Sequence, residues 1–139
     1  MNTKFSEVFS LFLGSIDDGE LATISAEEMD YVLIRYLVNC IPSLIEADFN
    51  ADEIDFEKQE FGTKLGFEER SLVAKAMKLE WVREKRYSSD LMQKAIGDRD
   101  FTAVQGDKYL KELGAVEKEL QKEIRDYIIR LSFKGFDGF

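Results

Sequence analysis

Residues 101–133 read FTAVQGDKYLKELGAVEKELQKEIRDYIIRLSF, and this stretch decides the fold that the sequence predicts. Large apolar residues recur at steps of three and four for most of its length, with Glu, Lys, Gln and Arg between them, which is typical of a long amphipathic helix. The apolar positions are Phe101, Val104, Leu110, Leu113, Val116, Leu120, Ile124, Tyr127, Ile128 and Leu131. Such a helix would be roughly 40–50 Å long, whereas a compact domain of this size has a radius of gyration of about 14 Å. We therefore expect part of the helix to pack on another subunit.

The apolar stripe of this helix and the residues that follow it form the predicted interface. Residues 134–139 are a glycine-spaced tail with two aromatic side chains, and an exposed aromatic pair favours a docking role over a frayed terminus or a tail folded on its own core. The predicted interface residues are Leu113, Val116, Leu120, Ile124, Tyr127, Phe136 and Phe139.

The composition is that of an ordinary folded domain with an acidic surface. The chain has 139 residues, 45% of them hydrophobic and 34% charged, with one proline, which predicts a single domain (1–139) with one core. Nineteen basic and 28 acidic residues give a formal net charge of −9. Direct binding to nucleic-acid phosphates is therefore not expected, and the acidic charge favours a partner with a basic surface.

The single cysteine and the hydropathy pattern bear on location. Cys40 lies in the apolar run YVLIRYLVNCI, so we expect it to pack as a small hydrophobic residue, as suits a reducing cytoplasm. Arg35 interrupts that run, which is far shorter than the ~20 residues of a membrane span. The N-terminal residues lack a basic leader with a sufficient apolar segment. We expect a chain that is neither exported by a signal peptide nor embedded in a membrane.

Four further helices are predicted, which makes the fold class mainly α, a small helical bundle with one long C-terminal amphipathic helix. They span residues 3–13, 26–40, 67–86 and 89–96, with the long helix at 101–133. Ser25 and Glu28 have the spacing of a capping box at the start of the second helix, and Pro42 is expected to end it at Ile41. This second helix is apolar on most sides, so the sequence predicts that it is buried.

Residues 43–65 are the irregular part of the prediction. The segment mixes a short alternating run, residues 54–57, with an acidic, turn-rich centre, so a long loop with a short helix and a small hairpin are both open. A packed loop is usually shorter than this, and an irregular segment of about 20 residues is often functional. Both a solvated acidic loop and a partner contact fit the pattern.

No catalytic or metal-binding motif is found. Histidine is absent, so the usual general base and the usual triads are absent as well. Asp48, Asn50 and Asp52 imitate the start of a calcium loop, but Glu53 stands where that loop needs glycine and Gln59 where it needs a bidentate glutamate. We predict a non-enzyme without metal or cofactor. An enzyme using carboxylate-bound metal is the weakest alternative.

The second half of the chain resembles a known family. The resemblance begins at Glu68 and Glu69, continues through an apolar helix ending in Trp81 and Val82, and includes the run Ser88-Ser89-Asp90-Leu91. It extends through Asp98-Arg99-Asp100-Phe101 into the long helix as far as Ile128. In these features the chain is similar to neck proteins of tailed bacteriophages, the head-to-tail connector or adaptor group.

The resemblance implies a structural virion protein of the neck region, made in the cytoplasm of the host bacterium. Proteins of this group are mostly helical subunits of a ring, here of twelve copies, that joins the portal protein to the tail or to tail-completion proteins. DNA passes through the channel of such a ring. A capsid or tail-completion accessory protein, or a free-standing helical protein–protein interaction module, would satisfy the same residues.

Overall fold

The computed structural model describes residues 1–16, 23–96 and 106–136, with side chains described up to residue 88 and again over 111–131. The main elements of these residues are four α-helices and a 3-10 turn. The helices are α1 (Phe5–Gly14), α2 (Ala26–Glu46), α3 (Phe67–Ile96) and α4 (Gly106–Phe136), and the 3-10 turn is Ala51–Glu53. The described ranges contain no β-strand, which confirms the mainly α fold class.

Helix α3 is the centre of the bundle, because α1, α2 and α4 all pack against it. No glycine or proline interrupts its 30 residues, and its middle is apolar on more than one side. The side chains of α3 that are buried in the core are Leu72, Val73, Ala74, Ala76, Met77, Leu79 and Val82. A helix with three neighbours needs such a wide apolar surface, whereas each neighbour needs only one apolar face.

Helices α3 and α4 run antiparallel, as three ion pairs between them show. The pairs are Glu68–Arg130 at 3.3 Å, Lys75–Glu123 at 3.4 Å and Arg86–Glu117 at 2.7 Å. All three are partly exposed, so they set the register of the two helices more than they add to stability. The two helices have nearly equal length, 30 and 31 residues. Helix α4 therefore has a long partner within its own subunit, which the sequence-based argument from helix length did not anticipate.

Several predicted helix ends differ from the structure. The predicted helices 67–86 and 89–96 are one continuous helix, because Ser88, Ser89 and Asp90 are tolerated inside α3 when no glycine or proline follows them before Ile96. Helix α4 begins at Gly106, and residues 101–105 lie outside the described part of the chain. It continues to Phe136, so the first three residues of the predicted tail 134–139 are helical. Residues 137–139 lie outside the described residues.

Helix α2 corrects two further predictions. Ser25 caps its start as expected, since the Ser25 hydroxyl accepts a hydrogen bond from the Glu28 amide at 3.2 Å. The helix does not end at Ile41 but continues through Pro42 to Glu46. Beyond the proline, Leu44 and Ala47 are buried in the core, and this packing outweighs the lost backbone bond. Helix α2 is also not buried all round, because one of its apolar faces is exposed to solvent.

Pro42→Ala is expected to raise the free energy of unfolding by about 1–3 kcal/mol. Proline has no N–H, so the carbonyl of Val38 receives no bond from position 42, and alanine restores that bond. Greater freedom of the unfolded chain offsets part of the gain. Equilibrium urea denaturation measures the difference, with the exposed Asn39→Ala as a control that should stay within about 0.5 kcal/mol. No stabilisation, or a loss, would indicate that the helix ends before Pro42.

Candidate interaction surfaces

The irregular segment that follows α2 is tied to the N-terminus of the chain. Thr3 is buried, its backbone N–H donates to the Thr63 carbonyl at 2.9 Å, and its carbonyl accepts from the Phe61 N–H at 2.9 Å. The Thr3 hydroxyl accepts from the Leu65 N–H at 2.8 Å. The backbone N–H of Phe5 donates to the Gln59 carbonyl at 2.9 Å. These bonds satisfy buried backbone groups and hold the segment on the first turn of α1.

Both predicted alternatives for residues 43–65 occur in part. The segment contains the short 3-10 turn, and it also contains a tight reversal in which Asp55 and Glu60 exchange two backbone hydrogen bonds of 2.8 and 3.0 Å. Gly62 has a φ of 76°, and a Cβ at this position would collide with the Glu53 carbonyl. The glycine thereby allows the reversal to lie directly on the 3-10 turn.

The calcium-like residues have a structural role in this segment. The Asn50 side chain accepts from the Asp52 N–H at 3.1 Å and so caps the 3-10 turn. Asp48 has a φ of 66°, the left-handed conformation that aspartate tolerates better than most residues. Among the side chains that the structure describes, no group of three or more His, Cys, Asp or Glu is placed to hold a metal ion.

An acidic cleft of about 630 Å³ lies between this segment, the start of α3 and the C-terminal half of α4. Its apolar wall includes the rings of Phe49, Phe61, Phe67 and Tyr127. Its carboxylates are Asp48, Glu53, Glu68 and Glu69, and none of the Lys or Arg side chains that the structure describes lines it. Burial raises the pKa of the Tyr127 phenol, Glu69 and Glu68 raise it further, and Arg130 lowers it. A cleft of this composition favours a cationic group with an aliphatic stem, such as a lysine or arginine of another chain.

A second surface is an apolar stripe on the outer side of α2. The α2 stripe consists of Tyr31, Ile34, Val38, Ile41 and Ile45, which follow one another at steps of three, four, three and four. Three of the five side chains are clearly exposed, Tyr31 by 71%, Val38 by 46% and Ile45 by 56%. At 100° and 1.5 Å per residue the five positions lie within an arc of about 80° along about 21 Å of helix. This spacing is typical of a helix face that packs against another helix.

The sequence contains the signal for this surface, but the prediction interpreted it as burial. The apolar arc of α2 is wide enough for two faces, and its core face consists of Leu33, Tyr36, Leu37, Cys40 and Leu44. Helix α3, the 3-10 turn and Phe12 of α1 contact α2, and the side chains of the α2 stripe are exposed or only partly buried. The width of the apolar arc does not show how many neighbours a helix has. The sequence alone therefore could not distinguish the exposed face of α2 from its buried face.

The predicted interface residues of α4 fall into three groups. Leu113, Leu120 and Ile124 are only 7%, 5% and 6% exposed, and they belong to the subunit's own core. Val116 is 36% exposed, and Tyr127 is half-buried at the cleft. The side chain of Phe136 and the whole of Phe139 lie outside the described residues. The structure thus places the three aliphatic residues within the subunit, where another subunit cannot reach them while the fold is intact.

Two further ionisable groups in the described part of the bundle, Cys40 and Glu80, have raised pKa values. Cys40 is buried as predicted, and burial, followed by the nearby Glu80 charge, raises the pKa of its thiol so that it stays protonated. Burial also raises the pKa of the Glu80 carboxyl, while Arg83, which donates to it at 3.4 Å, lowers that pKa. Neither group lines the acidic cleft.

The fold and its surfaces define a class of protein, a small acidic helical bundle with an exposed apolar stripe and an acidic cleft. The chain matches no protein-family model, no curated protein and no solved structure. Among the described helices, none combines the length and the apolar composition that a membrane crossing needs.

Proposed function

We propose that this chain is a structural subunit of a tailed-bacteriophage neck, a head-to-tail connector that assembles as a ring between the portal protein and the tail. The observation that carries the proposal is the exposed α2 stripe. Large apolar side chains in an unbroken row mark a surface that becomes buried in an assembly. The resemblance of residues 68–128 to neck proteins is the reason for proposing that this assembly is the neck of a bacteriophage.

Charge supports the same proposal. With a net charge of −9, the subunit repels DNA, and a channel built from such subunits would let DNA pass without holding it. The acidic cleft provides a further docking site, suited to a basic segment of a neighbouring neck protein or of the portal protein. The proposed subunit performs no chemistry and works by contact alone.

A free-standing interaction module is the second candidate, and the acidic cleft is the observation that favours it. A cleft with four carboxylates and an aromatic wall is suited to capture a lysine or arginine segment of one partner. Such a module would need no ring.

The mass of the purified chain in solution distinguishes the two candidates. Native mass spectrometry or light scattering would be recorded over a concentration series, alone and after mixing with phage heads that lack a neck. The connector proposal expects a closed ring, or a chain that joins heads at a fixed stoichiometry. A stable monomer or dimer that does not bind phage heads would overturn the connector proposal, and the free-standing interaction module would remain as the candidate function.

A further inference from the structure

Helix α4 carries a face of opposite character to the rest of this acidic chain. The α4 basic face consists of Lys111, Ala115, Lys118, Lys122, Arg125 and Ile129, at alternating steps of four and three, and all six residues are exposed. At 100° per residue they lie within an arc of about 80°. None of its four cations forms an ion pair with another residue that the structure describes, whereas Arg130 on the same helix pairs with Glu68. The α4 basic face therefore carries positive charge that no ion pair with a described residue neutralises.

The α2 stripe has acidic ends. Glu27 and Asp30 lie near its first turn, Glu46 and Asp48 near its last, and all four are exposed. Arg35, beside the stripe, is held by Glu84 at 3.1 Å. Two copies that met stripe to stripe would bring acidic ends together in either orientation, which costs free energy. Charge therefore disfavours a symmetric pair through this surface and favours a basic occupant.

The α4 basic face has the dimensions and the chemistry of that occupant. The stripe is about 21 Å long and the face about 27 Å, and both follow the three-four spacing of helices that pack side by side. Lysine and arginine stems cover apolar surface while their charged ends reach outward, so the stems would lie over Val38 and its neighbours and the charges would approach the acidic ends. Ala115 permits close approach of the two helices.

We propose that the α2 stripe of one copy docks on the α4 basic face of the next copy. The two surfaces are different, so the contact is heterologous and leaves a free stripe at one end and a free basic face at the other. Repetition of such a contact builds a ring if the rotation closes. The inference rests on the proposed function, since it names the surfaces that join neighbouring subunits of the ring.

The test uses two double variants of the full chain, each with one surface disabled. The stripe variant is Val38→Glu with Ile45→Glu, and the face variant is Lys118→Glu with Lys122→Glu. All four side chains are exposed, so both variants should keep the circular dichroism of the wild type, and also its melting temperature at a concentration low enough for the wild type to be monomeric. Asn39→Glu, an exposed change on α2 outside the stripe, is the matched control and should assemble like the wild type.

Native mass spectrometry is expected to show assembly of the wild type, monomers of each variant alone, and a one-to-one heterodimer when the two variants are mixed. In the mixture, the face variant provides an intact α2 stripe and the stripe variant an intact α4 basic face. These two surfaces form one contact, and assembly stops at two chains because the other surface of each chain is disabled. High salt should weaken the heterodimer because its charges are screened.

Each contrary outcome has a defined meaning. A face variant that self-associates like the wild type would overturn the inference, since the stripe would then have another occupant. Variants that stay monomeric when mixed, while the wild type forms rings, would overturn the inference and leave the proposed function standing. A wild type that stays monomeric at every concentration would also overturn it, and binding to heads would then decide the proposed function separately.

Discussion

Phe5→Ala is expected to lower the free energy of unfolding by about 3–5 kcal/mol. The Phe5 side chain is fully buried, and its ring centroid lies 5.0 Å from that of Phe61, 5.5 Å from that of Phe56 and 5.7 Å from that of Phe9. The ring therefore joins α1 to the irregular segment that forms one wall of the acidic cleft. Alanine would leave a cavity in which these three rings lose their common contact, and neither the helix nor the hydrogen-bonded segment can collapse fully to fill it.

Equilibrium urea denaturation, followed by circular dichroism, measures this loss. The matched control is Phe67→Ala, which removes the same side chain from a position that is 69% exposed and should change the free energy of unfolding by about 0.5 kcal/mol or less. The denaturant slope should be unchanged in both variants. A loss below about 1 kcal/mol for Phe5→Ala would contradict the packing of the segment on α1.

The helices could be predicted from the sequence because periodicity and capping are local. The spacing of apolar residues places α1, the first two-thirds of α3 and most of α4, and Ser25 marks the start of α2. The arrangement of the helices could not be predicted in the same way. Periodicity shows which side of a helix is apolar but not what lies against it. The sequence therefore predicts that α2 is buried, whereas in the structure α3 is the helix that the other three contact.

Helix ends were mispredicted at two places where a helix continues through a local stop or capping signal. Pro42 is a strong local stop, yet Leu44 and Ala47 gain enough burial beyond it for the helix to continue. Ser88, Ser89 and Asp90 are good capping residues, yet α3 continues through them to Ile96, because their cost inside a helix is a fraction of a kcal/mol each, roughly 0.5 kcal/mol. In both cases the predicted helix was divided or shortened, whereas the helix of the structure continues.

The acidic cleft could be predicted only as an irregular acidic segment. Its closure depends on Thr3, which contacts residues about 60 positions away in the chain, and no pattern within residues 43–65 reports such a contact. Gly62 was the one local clue, since it alone permits the close approach to Glu53. The apolar stripe of α4, which includes Leu113, Leu120 and Ile124, was predicted to be an interface for a related reason. The length of α4 suggested a partner in another subunit, whereas α3 is equally long and packs against α4 within the same subunit.

Leu120→Glu combined with Ile124→Glu is expected to unfold the chain or to detach α4 from α3. Both side chains are almost fully buried, and they belong to the same hydrophobic core cluster as Leu79 of α3. Two unpaired carboxylates at such positions should cost about 5 kcal/mol or more, which is comparable to the whole stability of a small domain. Circular dichroism and limited proteolysis would show loss of helix and rapid cleavage in α4.

Lys118→Glu with Lys122→Glu is the control for this variant, because it introduces the same two glutamates on the same helix but at exposed positions. The control should fold with nearly unchanged stability, so the difference between the two double variants measures burial and not the added charge. If the Leu120 and Ile124 variant instead remained a folded monomer of wild-type stability that had lost assembly, the α4 stripe would face another subunit, as the sequence alone predicts, and the packing of α4 on α3 would be wrong. Loss of folding places the stripe in the core, and the surfaces that join subunits must then be sought on the outer sides of α2 and α4.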